Sequence, residues 1–130
     1  HWLGSISMYM FNLSDAWILA AIYLAGAKGE NTYAQIIENL PVLDRPLPSH
    51  AECKSAYDKF LYLGLIVADR DKTSLSLVAE NLVKETHDKN ATQWICALEK
   101  QLAPYKLKSM CNRFEWQEDQ YMRGVKLFFC

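Results

Sequence analysis

Apolar residues recur with a helical period along most of the chain, beginning with SDAWILAAIYLAG at residues 14–26. Ser14 is a good helix N-cap, and Asp15 places a negative charge at the positive end of the helix dipole. Gly26 and Gly29 are expected to end the helix. The apolar side chains that share one face are Trp17, Ile18, Ala21, Ile22 and Ala25. The pattern predicts a first helix with one buried face.

Two further helices are marked at their starts by capping boxes, in which two side chains three residues apart bond each other's backbone amides. Thr32 with Gln35 begins a short helix that a proline ends, and Ser49 with Glu52 begins a longer one that Gly64 closes. The stretch between them, PVLDRPLP, is too rich in proline to be helical. The stripe predicted to be buried in the longer helix is Cys53, Ala56, Tyr57, Phe60 and Leu61.

After Gly64 the pattern changes from helical to extended. LIVA and SLSL are short apolar or alternating runs, and the polar residues from Asp69 to Thr73 suit a turn between them. VAENLVKE then starts another helix. From His87 onward we expect one or two amphipathic helices, although the last residues, VKLFFC, also fit a strand. The predicted order is three helices, a hairpin, a helix and a helical C-terminal part.

Composition narrows the class of protein. The chain has 130 residues, a formal net charge of -1 and 51% hydrophobic residues, which is typical of one globular domain with a real core. Its four cysteines and three histidines do not cluster, so we expect no metal and no cofactor. Common catalytic motifs are missing, and the longest apolar stretch is shorter than the roughly 20 residues that span a bilayer. We expect a cytoplasmic protein that is neither an enzyme nor bound to a membrane.

The stretch KFLYLGLIVADRDKTSLSLVAENL carries a resemblance to a known fold. A leucine-rich helix end, then Gly64-Leu65-Ile66, a short hairpin and the step Leu75-Ser76 into another helix resemble winged helix-turn-helix regulators of the MarR-like and PadR-like type. The start Asp15-Ala16-Trp17 is similar to that of uncharacterised bacterial proteins. The resemblance covers about residues 13–84. It implies a mainly α fold with a small β-hairpin, namely a three-helix core plus a wing, with a C-terminal helical extension.

The same resemblance implies three parts of the chain and a set of DNA contacts. Residues 1–12 form an N-terminal segment, part of which we expect to be vector-derived, with Met8 as the native start. Residues 13–86 form the winged-helix domain, and residues 87–130 form the extension. The helix from Ser49 to Leu63 takes the place of the recognition helix, which enters the major groove of double-stranded DNA. The DNA contacts implied are Arg45, Lys54, Ser55, Lys59, Tyr62, Arg70 and Lys72.

Charge gives little support to DNA binding. The recognition helix carries Lys54 and Lys59 against Glu52 and Asp58, and the wing sequence DRDK is balanced as well. Residues 8–86 hold seven basic and ten acidic residues, whereas DNA binders gain most of their non-specific affinity from cations. The leading interpretation is nevertheless a dimeric, DNA-binding protein like a transcriptional regulator, because the resemblance favours it, and the alternative is a winged-helix module for protein interaction or dimerisation without DNA binding.

Aromatic residues are frequent in the C-terminal part, where a small fold has little surface to cover them. Winged-helix regulators often dimerise through terminal helices, so we expect a homodimer built by residues 90–129. The dimer contacts proposed are Trp94, Leu98, Trp116, Tyr121 and Phe128. A weaker, third hypothesis is a small-molecule sensor or enzyme that uses a pocket between the winged core and this extension.

Overall fold

The computed structural model describes residues 10–105 and 118–129 of the chain. Within these ranges it forms six helices and one two-stranded antiparallel hairpin, which confirms a mainly α fold with a small β-hairpin. In chain order the elements are α1 (Leu13–Ala27), α2 (Tyr33–Glu38), α3 (His50–Leu63), β1 (Ile66–Asp69), β2 (Lys72–Leu75), α4 (Leu77–Thr86), α5 (Ala91–Leu102) and α6 (Glu118–Phe128). None of these helices is long and apolar enough to cross a membrane.

α1 is the central helix of the core. Asn12 caps it, because its side-chain oxygen accepts from the backbone N–H of Asp15 at 3.0 Å and the Asp15 carboxylate accepts from the N–H of Asn12 at 2.8 Å. The prediction of Ser14 as the cap was therefore wrong. Side chains from Asp15 to Ile22 are buried all around the helix, and α2, α3, α4, α5 and β2 pack around it. A helix that is apolar on every side is typical of such a central position.

Both predicted capping boxes are confirmed. At α2, the hydroxyl of Thr32 accepts from the backbone of Gln35, and the Gln35 side chain accepts from the N–H of Thr32 at 3.1 Å. At α3, Ser49 and Glu52 make the equivalent pair. Gly64 ends α3 with a φ of 70°, a left-handed conformation that glycine adopts without strain. The ends of α3 are thus set by local chemistry, which fixes where the hairpin begins.

The hairpin is paired in one register and fastened to the helical core. Ile66 pairs with Leu75 and Asp69 with Lys72, so the turn consists of residues 70 and 71. Ile66 and Thr73 are buried on the inner face, whereas Val67 is exposed on the outer face. The N–H of Thr73 donates to the carbonyl of Asn31 at 2.9 Å, and a β-bridge joins residue 32 to residue 72. The segment before α2 therefore holds β2 in place.

α4 and α5 continue the same core. Their N-caps are Ser76 and Asn90, and the indole N–H of Trp94 donates to the carbonyl of Val83 at 3.2 Å. The buried side chains of α5 are Trp94, Ile95, Leu98 and Leu102. They belong to the hydrophobic cluster that surrounds α1, and α5 packs directly on α1 and α4. The core therefore runs on past residue 86, where the sequence predicts the start of an extension.

α6 lies against α2, and a glycine sets how close it comes. A Cβ built on Gly124 would overlap the carbonyl oxygen of Ala34 and lie 2.6 Å from the Cβ of Ile37. Because glycine has no side chain, the two helix backbones approach closely there. Residues 118–128 are helical, so the strand alternative for the start of VKLFFC is wrong.

Candidate nucleic-acid interface

α3 and the hairpin form the candidate interface, since the resemblance assigns DNA recognition to these two elements. The first turn of α3 is rigid. Glu52 Oε1 accepts from the N–H of Ser49 at 2.8 Å, and Glu52 Oε2 accepts from the hydroxyl of Ser14 at 3.0 Å. Cys53, Ala56, Tyr57 and Phe60 are fully buried, as predicted for the inner stripe of the helix, whereas Leu61 is only partly buried. The geometry of this helix therefore decides which polar side chains remain for a ligand.

Lys59 is inside the protein. Its ammonium group donates to Asp15 Oδ2 at 2.8 Å and to the carbonyl of Met10 at 2.7 Å, and the residue is only 1% exposed. It also lies 5.8 Å from the centre of the Phe11 ring, close enough for a cation–π contact. The prediction of Lys59 as a DNA contact was wrong, because α1 and the segment directly before it cover this side chain. Lys59 is therefore out of reach of a phosphate.

The Lys59–Asp15 pair is held at an electrostatic cost. Burial raises the pKa of Asp15 above its ordinary value, while the charge of Lys59, its hydrogen bond and that of Asn12 oppose this shift. A buried ion pair stabilises a fold only weakly as a pair, but removing one partner leaves a buried charge without compensation. The pair therefore constrains how α1 and α3 meet.

The other predicted contacts on α3 are not free cations either. Lys54 donates to Asp58 at 2.9 Å, one helical turn away, and the Asp58 side chain is almost fully buried. Ser55 and Tyr62 are half-buried. Both lysines of the candidate recognition helix are thus paired with carboxylates of the same chain.

Arg45, Arg70 and Lys72 are exposed, as a DNA-contacting role requires. None of the three forms an ion pair within the part of the chain that the structure describes. Arg70 lies at the tip of the hairpin with a φ of 59°, a conformation unusual for a residue with a side chain. The exposed acids next to these cations in the sequence are Asp44, Asp69 and Asp71. The hairpin and the turn before α3 therefore carry no net positive charge.

α6 contacts the first turn of α3, which in a helix-turn-helix points into the groove. The Tyr121 hydroxyl donates to the carbonyl of Pro48 at 2.7 Å, and its ring centre lies 5.3 Å from that of His50. His50 Nδ1 shares a 2.9 Å hydrogen bond with the Tyr33 hydroxyl. Burial lowers the pKa of His50, Glu118 opposes this shift and Lys54 adds to it. The start of α3 is therefore partly occupied by the chain's own C-terminal helix.

The neighbouring thiol is inert. Cys53 is fully buried beside Tyr33, and burial raises the pKa of its thiol to about 12. A thiol with that pKa stays protonated at neutral pH and is a poor nucleophile. Burial also raises the pKa of Tyr33 and Tyr57, so neither phenol ionises near neutrality. This polar and aromatic cluster packs the junction of α2, α3 and α6.

Two of the five proposed dimer contacts are buried in this chain's own core. Trp94 is 3% exposed and Leu98 is 0% exposed. Their assignment to a dimer interface was wrong, because the apolar stripe of α5 faces α1 and α4 of the same molecule. Tyr121 and Phe128 are half-buried and pack against the core from α6. Trp116 lies outside the described residues.

Other kinds of site receive little support. Residues 10–105 and 118–129 contain no group of three His, Cys, Asp or Glu side chains placed to hold a metal ion. A groove of about 460 Å³ lies between the end of α1, β2 and α4, with Tyr23, Asn31, Ser74, Glu80 and Lys84 in its lining. A smaller groove of about 320 Å³ lies between the winged core and α5, where the third hypothesis needs a pocket, and its lining includes Leu43, Arg45, Thr92 and Ile95.

Sequence reasoning missed two features that shape this interface. The Lys59–Asp15 pair joins residues 44 positions apart, which no local pattern reveals. The docking of α6 on α2 had one available signal, namely a glycine inside an otherwise amphipathic helix, which suggests close backbone approach. Comparison of the chain with protein-family models, with curated proteins and with solved structures finds no match.

Proposed function

We propose that the chain is a winged-helix domain. The order of three helices, an antiparallel hairpin and a further helix supports this proposal. So do the position of α3 directly before the hairpin and the bonds that tie β2 to the segment before α2. α3 then takes the place of the recognition helix, and the hairpin is the wing.

We further propose that this domain works as a protein-interaction module and does not bind DNA. The observation that carries this proposal is the internal pairing of both α3 lysines, Lys59 with Asp15 and Lys54 with Asp58. Binding to duplex DNA depends on cations that displace counterions from phosphates. A recognition helix whose cations are already neutralised adds little to this electrostatic part of the affinity for DNA. The exposed Glu52 at its start repels phosphate.

A second candidate is a DNA-binding, transcriptional regulator-like protein in the cytoplasm. The exposure of Arg45, Arg70 and Lys72, on the turn before α3 and on the wing, favours it. Three phosphate contacts would give a slope of about -2.7 for the logarithm of affinity against the logarithm of salt concentration. This candidate therefore makes a quantitative prediction that the first one does not.

Fluorescence anisotropy with a labelled random-sequence duplex separates the two candidates. We expect no binding at micromolar protein when salt is lowered to about 50 mM, where non-specific DNA binders gain affinity. Binding that weakens with salt at a slope near -2.7, and that disappears when the three exposed cations are removed, would overturn the interaction-module proposal in favour of DNA binding.

The variant for that test is Arg45→Ala, Arg70→Gly and Lys72→Ala combined. Glycine suits position 70 because its φ of 59° is left-handed, so the hairpin is kept. Lys59 is left unchanged, since its loss would destabilise the fold and mimic a loss of binding. A matched control is Lys100→Ala, which removes an exposed cation from α5, away from the candidate interface.

A further inference from the structure

The outer face of α6 presents one continuous stripe to solvent. Tyr121, Gly124, Val125 and Phe128 face inward, toward α2 and the core. On the opposite side, spaced by three, four and seven residues, lie Asp119, Met122, Arg123 and Lys126, and all four are exposed. This stripe is therefore available to a partner.

Part of the exposed apolar surface lies on this helix. Of the eight large hydrophobic residues that are exposed in the described ranges, three lie on α6 or directly after it. Met122 is 57% exposed, Leu127 44% and Phe129 73%. Met122 belongs to the stripe, and Phe129 follows it by seven residues on the same side, whereas Leu127 lies on another face of the helix.

If two copies of α6 packed side by side in antiparallel directions, their charges would be complementary. The first turn carries Glu118 and Asp119, and the second half carries Arg123 and Lys126. In two antiparallel copies related by a two-fold axis near residues 122 and 123, each Asp119 faces the Lys126 of the other copy. Each Met122 then lies beside the aliphatic part of the other Arg123. The helix dipoles are also antiparallel in this arrangement, which is favourable.

We propose that the outer face of α6 binds the α6 of a second copy of this chain, antiparallel and around a two-fold axis. The inference rests on the proposed function as an interaction module and names its partner. A two-fold interface uses the same patch on both copies and must be complementary to itself, which this stripe is. The proposed dimer surface has Asp119, Met122, Arg123 and Lys126 at its centre, and none of the five dimer contacts predicted from the sequence is among them.

A charge-swap experiment tests the pairing. Asp119→Lys places two lysines opposite each other at both ends of the interface, and Lys126→Glu places two acids there. Each single variant is expected to weaken dimerisation about tenfold or more. An equimolar mixture of the two variants, or the double variant in one chain, restores both opposite-charge pairs and the dimer. The readout is molar mass by light scattering and sedimentation over a concentration series up to about 100 µM.

Lys100→Glu on the exposed surface of α5 is the matched control and should leave the dimer unchanged. Circular dichroism checks that every variant is folded. A monomeric wild type over the whole series, or a dimer that both single variants leave intact, would overturn the inference. Neither outcome bears on the interaction-module proposal, which depends on the DNA-binding measurement.

Discussion

α5 and α6 both carry an apolar stripe of helical spacing, but they meet the rest of the molecule in different ways. α5 packs on α1 and α4, and its stripe is fully inside the core. α6 packs on α2 from outside, with half-buried contacts and a glycine at the closest point. The helical spacing of apolar residues thus shows which face of a helix is buried, but it does not show which part of the molecule packs against that face. α5 lies within the core, whereas α6 packs on the outside of α2 and has a second face that is exposed to solvent.

The largest loss of stability is expected when the buried Lys59 is replaced. Lys59→Ala leaves Asp15 buried without its partner, and we expect the free energy of unfolding to fall by about 3–5 kcal/mol. Urea unfolding measures this loss. The matched control, Lys84→Ala, breaks the exposed pair with Glu80 and should cost at most about 0.5 kcal/mol. Equal losses for the two variants would show that breaking the buried pair costs no more stability than breaking the exposed one.

The second test removes core volume from α5. Leu98→Ala should lower the free energy of unfolding by about 2–5 kcal/mol, because Leu98 is fully buried and the cavity cannot collapse completely. Cys96→Ala, on the exposed side of the same helix, should change it by less than about 0.5 kcal/mol. If Leu98→Ala behaves like Cys96→Ala, α5 is not an integral part of the core.

The third test pushes α6 away from α2. Gly124→Ala puts a methyl group against Ala34 and Ile37, so α6 must shift, at a cost of about 1–3 kcal/mol. Hydrogen exchange should speed up across residues 118–128 and remain slow in α5. Gly26→Ala is the control, since its Cβ meets open space and alanine should stabilise α1 by up to about 1 kcal/mol. Unchanged exchange in α6 would contradict the close approach.

The smallest effect expected is a pH dependence of stability, which arises from His50 at the junction of α3 and α6. The pKa of His50 is lowered from 6.5 by burial, so the unfolded chain binds more protons than the folded one below that value. Stability from this group is full above about pH 6.5 and is lost as the pH falls. Unfolding by urea at pH 7.5 and 5.5 measures the change, and His50→Gln should reduce it. The groups facing His50 are Tyr33, Tyr121, Glu118 and Lys54.

Local chemistry explains what could be predicted from the sequence. The pairs Thr32 with Gln35 and Ser49 with Glu52 cap their helices as expected, because a capping box involves only neighbours in the chain. The hairpin turn follows from polar residues between two short strands. Ser14 was the wrong choice of cap, because Asp15 follows Asn12 by three residues, the spacing of a capping box, and its carboxylate accepts from the N–H of Asn12.

What could not be predicted depends on contacts between distant residues. Lys59 looks like a surface lysine in any helical wheel, and only the position of Asp15 on another helix places it inside. Trp94 and Leu98 sit on a stripe that fits a dimer or a core equally well, and the packing of α5 on α1 decides between them. The sequence therefore predicts the fold better than it predicts the residues of the candidate site.

The carbonyl of Met10 has a practical consequence for dividing this chain. It accepts one of the hydrogen bonds of the buried Lys59 ammonium, and Phe11 stacks on Phe60 at 5.7 Å. A fragment trimmed to residues 13–86 would lose this carbonyl and the Phe11 ring, and with α5 also the far wall of the core. Its lysine would have one acceptor fewer and a path to water. A fragment that keeps these contacts therefore begins at or before residue 10 and includes α5.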